Sequence, residues 1–260
     1  MEQNERLEYL IEALLQESPQ YKRVQLPGTD RFDLFRALMN VRPPLPVTED
    51  FLRVQDDYLK EVNAERGITD LEDLTPVRGS LYLWQGDITT LKCDAIVNAA
   101  NAQLLGCFRP LHSCIDNCIH TYAGVQLRLK CAELMEAQGH EEPTGQAKIT
   151  PAYNLPSKYV LHTVGPIVDG VLTQAHCDLL TACYRSCLDL AAENGCGSVA
   201  FCAISTGVFG FPKEPAAEIA VQTVEAWLSE HSSKRKIIFT AFSDRSLEIY
   251  RRVLTGERDG

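Results

Sequence analysis

The sequence predicts an α/β fold with three layers, in which a mixed, mostly parallel sheet lies between helices and carries a small N-terminal helical extension. After residue 75, short apolar runs of strand length alternate with longer segments of helical periodicity, a pattern typical of parallel strands joined by helices. The residues before that point show helical spacing alone. A chain of 260 residues is also long enough to bury a sizeable core.

The N-terminal part, residues 1–75, is predicted to form three helices. A first apolar stripe comprises Leu7, Leu10, Ile11, Leu14 and Leu15. A second helix is predicted around Phe32–Met39, and a third begins after Thr48, a helix-start residue. Three such helices are too small for a core of their own, so we expect a cap packed on a main domain at 76–260. Whether this cap only stabilises that domain or also selects a substrate stays open.

The main domain is predicted to contain six strands and four helices. The strands are Leu81–Trp84, Asp94–Val97, Ala147–Ala152, Tyr159–Thr163, Ser198–Ile204 and Ile237–Phe242. The helices are Cys114–Gln138, Ala175–Asn194, Glu214–Ser229 and Asp244–Thr255. Gly195 is placed to end the second of these helices, and Pro212 to introduce the third.

The charge balance limits the classes of partner. A formal net charge of −10 argues against nonspecific nucleic-acid binding, which requires clustered Lys and Arg. It still allows a single nucleotide, because backbone amides and helix N-termini can hold phosphates. No apolar run reaches the length of a membrane span, and the first ten residues lack a signal-peptide core. We therefore expect a cytoplasmic protein without membrane or nucleic-acid partners, whose ten cysteines are mostly reduced.

A loop rich in sulfur and imidazole follows the strand predicted at Asp94–Val97. Cys107, His112 and Cys114 fall within eight residues of one another, and thiolate and imidazole ligands suit Zn²⁺. The alternative is that the cysteines act as small buried hydrophobic residues. Structural zinc takes four protein ligands, whereas catalytic zinc keeps one position open. Cys118 is one helical turn beyond Cys114 and is a candidate fourth ligand, but we favour an open position. Cys131 is then a core residue, and His120 and His162 are packed or hydrogen-bonded.

Two further segments have the chemistry of a nucleotide site. The segment from Ile204 to Gly210 follows a strand and precedes a proline-started helix, and its successive amides can form an anion-binding nest suited to pyrophosphate. Asp87 follows another strand; its carboxylate can accept from an exocyclic amine such as adenine N6, and the Ile88 amide can donate to a ring nitrogen. Alone, each segment is more often an ordinary turn or helix start.

The motifs occur in an order that resembles a known family. From about residue 81 to 255 the chain carries GDIT, NAAN, LLG, IDNCIH, GQAKITPAYNLPSKYVLHTVGP and ISTGVFGFP. These resemble the macrodomain family of ADP-ribose-binding α/β modules, and its MacroD-type branch closely. The polyglycine run usual after LLG is replaced by CFRPLHSC. That replacement resembles the zinc-containing macrodomains, whose Cys-x4-His-x-Cys ligand set falls on Cys107, His112 and Cys114.

The resemblance implies a role for each site residue. It implies that Asp87 and Ile88 bind adenine, that Asn101 contacts the distal ribose, and that Phe242 stacks on adenine unless it belongs to the core. The remaining ADP-ribose-binding residues implied are Cys114, Ile115, Asp116, Ser205, Thr206, Gly207, Val208 and Phe209. Asp116 and Asn101 are the implied catalytic residues, although Asp116 has the alternative of stabilising a helix N-terminus. Asn98 has either a functional or a buried structural role.

The function implied is zinc-dependent hydrolysis that frees mono-ADP-ribose from a protein side chain by breaking the bond at C1 of the distal ribose. Zinc would orient the ribose or activate water. The alternatives are a non-catalytic ADP-ribose reader, an O-acetyl-ADP-ribose deacetylase and, least favoured, a structural zinc protein unrelated to nucleotides. The resemblance also suggests a lipoyl-carrier protein, modified by a partner sirtuin, as the substrate. The sequence gives neither the acceptor side chain nor the oligomeric state.

Overall fold

The described residues of the computed structural model, 1–21 and 30–256, contain nine strands. They are β1 (Thr69–Asp70), β2 (Pro76–Arg78), β3 (Leu81–Gln85), β4 (Leu91–Lys92), β5 (Ala95–Ala100), β6 (Ala147–Pro151), β7 (Tyr159–Val164), β8 (Ser198–Phe201) and β9 (Lys236–Ala241). Seven form one sheet in the order β2-β3-β9-β8-β5-β7-β6. Its inner pairs are parallel, and the edge strands β2 and β6 are antiparallel. The predicted mixed, mostly parallel sheet is confirmed.

Eight α-helices lie in the same described ranges. They are α1 (Gln3–Glu17), α2 (Arg31–Val41), α3 (Glu49–Glu65), α4 (Ile115–Ala123), α5 (Val125–Gln138), α6 (Gln174–Glu193), α7 (Lys213–Glu230) and α8 (Asp244–Thr255). The predicted ranges 1–75 and 76–260 include residues 22–29 and 257–260, which lie outside the described residues. None of the described helices combines the length and the hydropathy of a membrane span.

Helices cover both faces of the sheet. Neighbouring side chains of β7 point to opposite faces, as in any strand. His162 approaches Cys131 of α5, whereas Cys183 of α6 contacts the neighbouring part of β7 through the Val164 carbonyl. Helices α6, α7 and α8 pack against one another in series, and α4 packs against α5 and β5. The sheet is therefore the middle of three layers, as predicted.

The helices α1 to α3 build a hydrophobic cluster separate from the core around the sheet. Leu10, Phe35 and Leu59 are among its fully buried side chains, and Val125 of α5 is the member contributed by the rest of the chain. These helices pack on α4 through α2 and α3. A cluster of this kind is consistent with the expected cap.

Three predicted elements of the main domain were wrong by more than one residue. The helix predicted over Cys114–Gln138 is two helices, α4 and α5, because Gly124 between them has φ +98°, a value that L side chains rarely adopt. The strand predicted to reach Ile204 ends at Phe201, since the Thr206 amide already turns back to the Ala203 carbonyl. The strand predicted to end at Val97 continues to Ala100.

Candidate active site

The predicted site residues collect at one edge of the sheet. Strands β3, β5, β8 and β9 are parallel neighbours, so their carboxyl ends meet at the same edge, where open α/β sheets place ligands. Asp87 follows β3, Asn101 follows β5, the segment 204–210 follows β8, and Phe242 follows β9. Residues far apart in sequence thus lie at one edge of the sheet.

The ligand atoms of Cys107, His112 and Cys114 all lie within 4.8 Å of one another, and all three residues are half-buried. Cys107 Sγ is 3.6 Å from His112 Nδ1. Zinc bond lengths to sulfur and nitrogen, at tetrahedral angles, give a ligand–ligand separation of about 3.6 Å. The three side chains therefore fit a zinc ion in both chemistry and spacing. Burial raises the pKa of the Cys114 thiol to about 12, and a coordinated metal would reverse this by holding the thiolate.

A second group of metal-ligating side chains lies deeper. His120, Cys131 and His162 are buried, with ligand atoms within 4.8 Å of one another. His162 already uses both ring nitrogens, with Thr150 Oγ1 2.9 Å from Nε2 and Asn98 Nδ2 3.1 Å from Nδ1. The half-buried loop offers ligands that a metal can reach from solvent, so we favour it as the metal site.

Asp116 is the buried carboxylate of the site. It lies in the first turn of α4 and is 5% exposed. Asn98 Nδ2 donates to its Oδ1 at 2.8 Å, and His120 Nε2 is 3.6 Å from the same oxygen. Burial raises the pKa of Asp116 to about 6, although the Asn98 hydrogen bond and the Arg128 charge oppose the rise. The carboxylate is thus fixed in place two residues after Cys114, beside the loop formed by residues 107–114.

The two asparagines differ in their surroundings. Asn98 is fully buried within β5, and its amide hydrogens serve Asp116 and His162. Asn101 is half-buried; its Nδ2 donates to the Gly106 carbonyl at 3.0 Å and is 3.4 Å from Asp116 Oδ2. Asn101 therefore connects Gly106, at the start of the loop that carries Cys107, His112 and Cys114, to the carboxylate of Asp116. Asn98 contacts the same carboxylate from within β5.

Asp87 is bound by the helical extension, a contact that sequence patterns did not suggest. Arg66, at the end of α3, donates to Asp87 Oδ2 at 2.5 Å and to Thr89 Oγ1 at 2.8 Å. Its guanidinium lies 3.5 Å from the Tyr122 ring centroid. The Thr89 amide and hydroxyl donate to Asp87 Oδ1. Both carboxylate oxygens are held, and a carboxylate still has lone pairs to offer a ligand.

The loop after β8 has the backbone of an anion site. Ser205 adopts φ +63° and is buried, and a Cβ on Gly165 would come within 2.0 Å of Ser205 Oγ, so this contact requires glycine. Among the described residues, no acceptor is bonded to the backbone amides of Gly207, Val208 or Phe209. Consecutive unpaired amides of this kind attract phosphate oxygens.

Four apolar residues predicted to bind the nucleotide differ in their exposure. Phe242 is 84% exposed and Val208 82% exposed, so the structure excludes the core role considered for Phe242. The Ile88 side chain is buried, and Ile115 is half-buried against the core. The exposed rings and methyl groups are free to cover a ligand.

The buried His162 predicts a pH-dependent stability. Burial lowers its pKa to about 3, so the folded protein resists a proton that the unfolded chain accepts below about pH 6.5. The contribution of His162 to the free energy of unfolding is therefore fully present above pH 6.5 and decreases as the pH drops toward 3. Between pH 7 and 5 we expect His162 alone to remove about 2 kcal/mol from the free energy of unfolding.

The measurement is urea unfolding of the wild type and His162→Gln at pH 7, 6 and 5. Glutamine retains a donor and an acceptor but does not titrate, and groups common to both proteins cancel in the difference. Equal loss of stability in the two proteins would contradict the assignment.

Comparison with known proteins places these features in a family. Residues 97–220 match the family model described as "Macro domain". A protein of Treponema medium named "Protein-ADP-ribose hydrolase" is 58% identical over 261 residues, covering 98% of this chain and all of the relative. A macrodomain variant of Oceanobacillus iheyensis solved with ADPR is 37% identical, with a TM-score of 0.63, covering 70% of this chain and 96% of that one. The Trypanosoma brucei macrodomain in complex with ADP-ribose is 31% identical, with a TM-score of 0.65, covering 83% and 94%.

Proposed function

The chain belongs to the macrodomain family and to its protein-ADP-ribose hydrolases, and we propose that it releases mono-ADP-ribose with zinc held by Cys107, His112 and Cys114. The bond broken is the one between C1 of the distal ribose and the acceptor atom of the protein side chain. The observation that supports this proposal best is that three metal-ligating side chains and a buried carboxylate lie next to one another after the carboxyl end of β5. A module that only binds ADP-ribose has no use for this combination.

Backbone amides, a carboxylate and an exposed ring at this edge of the sheet support nucleotide binding. The amides of residues 207–209 suit the diphosphate, and Asp87 has lone pairs left for the adenine amine. The exposed Phe242 ring suits stacking on the base. Binding energy from these remote contacts positions the distal ribose for reaction.

The chemistry at the ribose falls to the residues around Asp116. Its carboxylate, oriented by Asn98 and close to Asn101, is proposed to hold a ribose hydroxyl or the attacking water. Breaking the C1 bond develops oxocarbenium character, as in glycoside hydrolysis, and a fixed carboxylate stabilises that positive charge. When bound, zinc would supply Lewis acidity that orients a ribose hydroxyl or lowers the pKa of water.

The test is a hydrolysis assay with the purified full chain. Proteins modified through Asp/Glu, Ser or Arg, and an ADP-ribosylated lipoyl-carrier protein as a candidate substrate, are each incubated with it. Mass spectrometry then detects free ADP-ribose and the unmodified acceptor. Release from at least one linkage is expected. Tight ADP-ribose binding without release from any linkage would favour the reader, and activity on O-acetyl-ADP-ribose alone would favour the deacetylase.

Arg66 is predicted to support binding of the adenine end. Replacing it with methionine frees Asp87 Oδ2 and removes the cation over Tyr122. We expect ADP-ribose binding to weaken about fivefold, equivalent to about 1 kcal/mol of lost orientation. Calorimetric titration measures this, and Arg53→Met on the exposed side of the same helix is the matched control. Unchanged or tighter binding in Arg66→Met would contradict the role.

A further inference from the structure

Helix α2 of the N-terminal extension contacts the loop 107–114, which carries the three proposed zinc ligands. Arg36 Nη2 donates to the His112 carbonyl at 2.8 Å and to Asn117 Oδ1 at 3.0 Å, and lies 3.7 Å from Cys118 Sγ. One turn later, Asn40 Oδ1 accepts from the Leu111 amide at 3.0 Å. Two polar side chains of one helix thus bind consecutive residues of a loop more than 70 positions away.

Asn117 contacts Arg36 through one end of its side-chain amide and the first half of the loop through the other end. Its Nδ2 donates to the carbonyls of Cys107 at 3.2 Å and Arg109 at 3.0 Å. Its own amide lies 3.4 Å from Cys114 Sγ. With its Oδ1 fixed by Arg36, the side chain of Asn117 can face only in this direction. The carbonyls of Cys107 and His112 and the sulfur of Cys114 are therefore all held by Asn117 or by the Arg36 that fixes it.

The loop has a backbone strain that requires such support. Leu111, immediately before His112, adopts φ +55°, a left-handed conformation that is unfavourable for residues with a side chain. Strained conformations persist only where surrounding contacts fix them. Asn40 is itself buried and anchored, since its Nδ2 donates to Thr121 Oγ1 at 3.0 Å. It is thus a rigid acceptor for the Leu111 amide.

We infer that Arg36 and Asn40 are positioning residues that hold the Cys107–Cys114 loop in its metal-binding geometry, so that the N-terminal extension sets the affinity for zinc. This inference rests on the proposed zinc site. It assigns to the extension a task beyond stability. Neither residue touches the metal or the reacting atoms; both act through the backbone that carries the ligands.

The test uses the full chain with Arg36→Met, Arg36→Lys and Asn40→Ala. Zinc affinity is measured by competition with a chromogenic chelator, and Co²⁺ substitution reports the ligand set through its thiolate charge-transfer band. We expect Arg36→Met and Asn40→Ala to weaken zinc binding at least about tenfold, as loss of outer contacts does at other metal sites. Arg36→Lys retains a donor group, so its zinc affinity should lie between those of the wild type and Arg36→Met. Arg31→Met, on the same helix but paired with Glu8, should match the wild type.

The outcomes separate this inference from the proposed function. Wild type that binds no zinc would overturn the proposed site and the inference with it. Wild type that binds zinc, with Arg36→Met and Asn40→Ala within about twofold of it, would overturn the inference alone. Thermal melting and ADP-ribose titration check folding. If the Arg36 and Asn40 variants lose ADP-ribose binding in proportion to zinc binding, the effect is general damage, and the inference is also overturned.

Discussion

Replacing Cys107 with alanine is expected to remove the zinc and at least about 100-fold of the hydrolysis rate, while ADP-ribose continues to bind. A Lewis acid at the reacting sugar is worth several kcal/mol, and about 1.4 kcal/mol corresponds to a factor of ten. Of the three proposed ligands, Cys107 is the one whose replacement is expected to disturb the fewest other contacts. Cys114 also caps the N-terminus of α4, whereas the Cys107 bond to Asn117 uses the backbone carbonyl and survives the substitution.

The measurements are zinc content by elemental analysis, single-turnover release of ADP-ribose, and calorimetric binding of ADP-ribose. Cys177→Ala provides the control, because Cys177 is also half-buried but lies on α6. Full turnover by Cys107→Ala without bound metal would remove zinc from the mechanism.

Asp116→Asn is expected to lower turnover by about 10²- to 10⁴-fold, the range typical of a positioned acid or base. The amide oxygen can still accept from Asn98, so the buried hydrogen bond at 2.8 Å is retained and the protein should fold. The substitution removes the negative charge proposed to lie beside the ribose. ADP-ribose binding should change much less than turnover, because the proposed site holds the nucleotide chiefly at its adenine and diphosphate ends.

Asp244→Asn tests whether any acidic residue in a first helical turn has the same effect. Asp244 occupies the first turn of α8, as Asp116 does that of α4. Both variants lose a favourable charge at a helix N-terminus, worth about 0.3–1 kcal/mol of stability. Only Asp116→Asn should lose turnover. Similar turnover in the two variants would reduce Asp116 to a helix-stabilising residue.

The parts of the fold that follow local periodicity could be predicted. Strand and helix periods differ, so the order of the six longer strands and the mostly parallel sheet followed from this alternation. The short strands β1, β2 and β4 were not predicted, because two or three residues are too few to show a period. Placing Asp87, Asn101 and Phe242 directly after parallel strands also put them at one edge of the sheet. The break at Gly124 could not be read in this way, because helix-like spacing continues across it and the positive φ of the glycine is set by packing.

The contacts from the extension were beyond the sequence patterns. Arg36 and the His112 carbonyl are 76 residues apart, and nothing near Arg36 distinguishes it from an exposed helical arginine. The same holds for Arg66 and Asp87. Asn98 has two possible roles if its strand ends at Val97. Three more residues of β5 place it inside the sheet, where its side chain contacts Asp116 and His162.

The central claim is that zinc at Cys107, His112 and Cys114 lies beside the distal ribose of bound ADP-ribose. Anomalous diffraction at the zinc absorption edge, from a crystal of the full chain grown with ADP-ribose, tests it most directly. The expected result is one peak among these three side chains, with the distal ribose next to it. A peak at His120, Cys131 and His162 instead, no peak at either group, or a nucleotide lying away from the loop would contradict the claim.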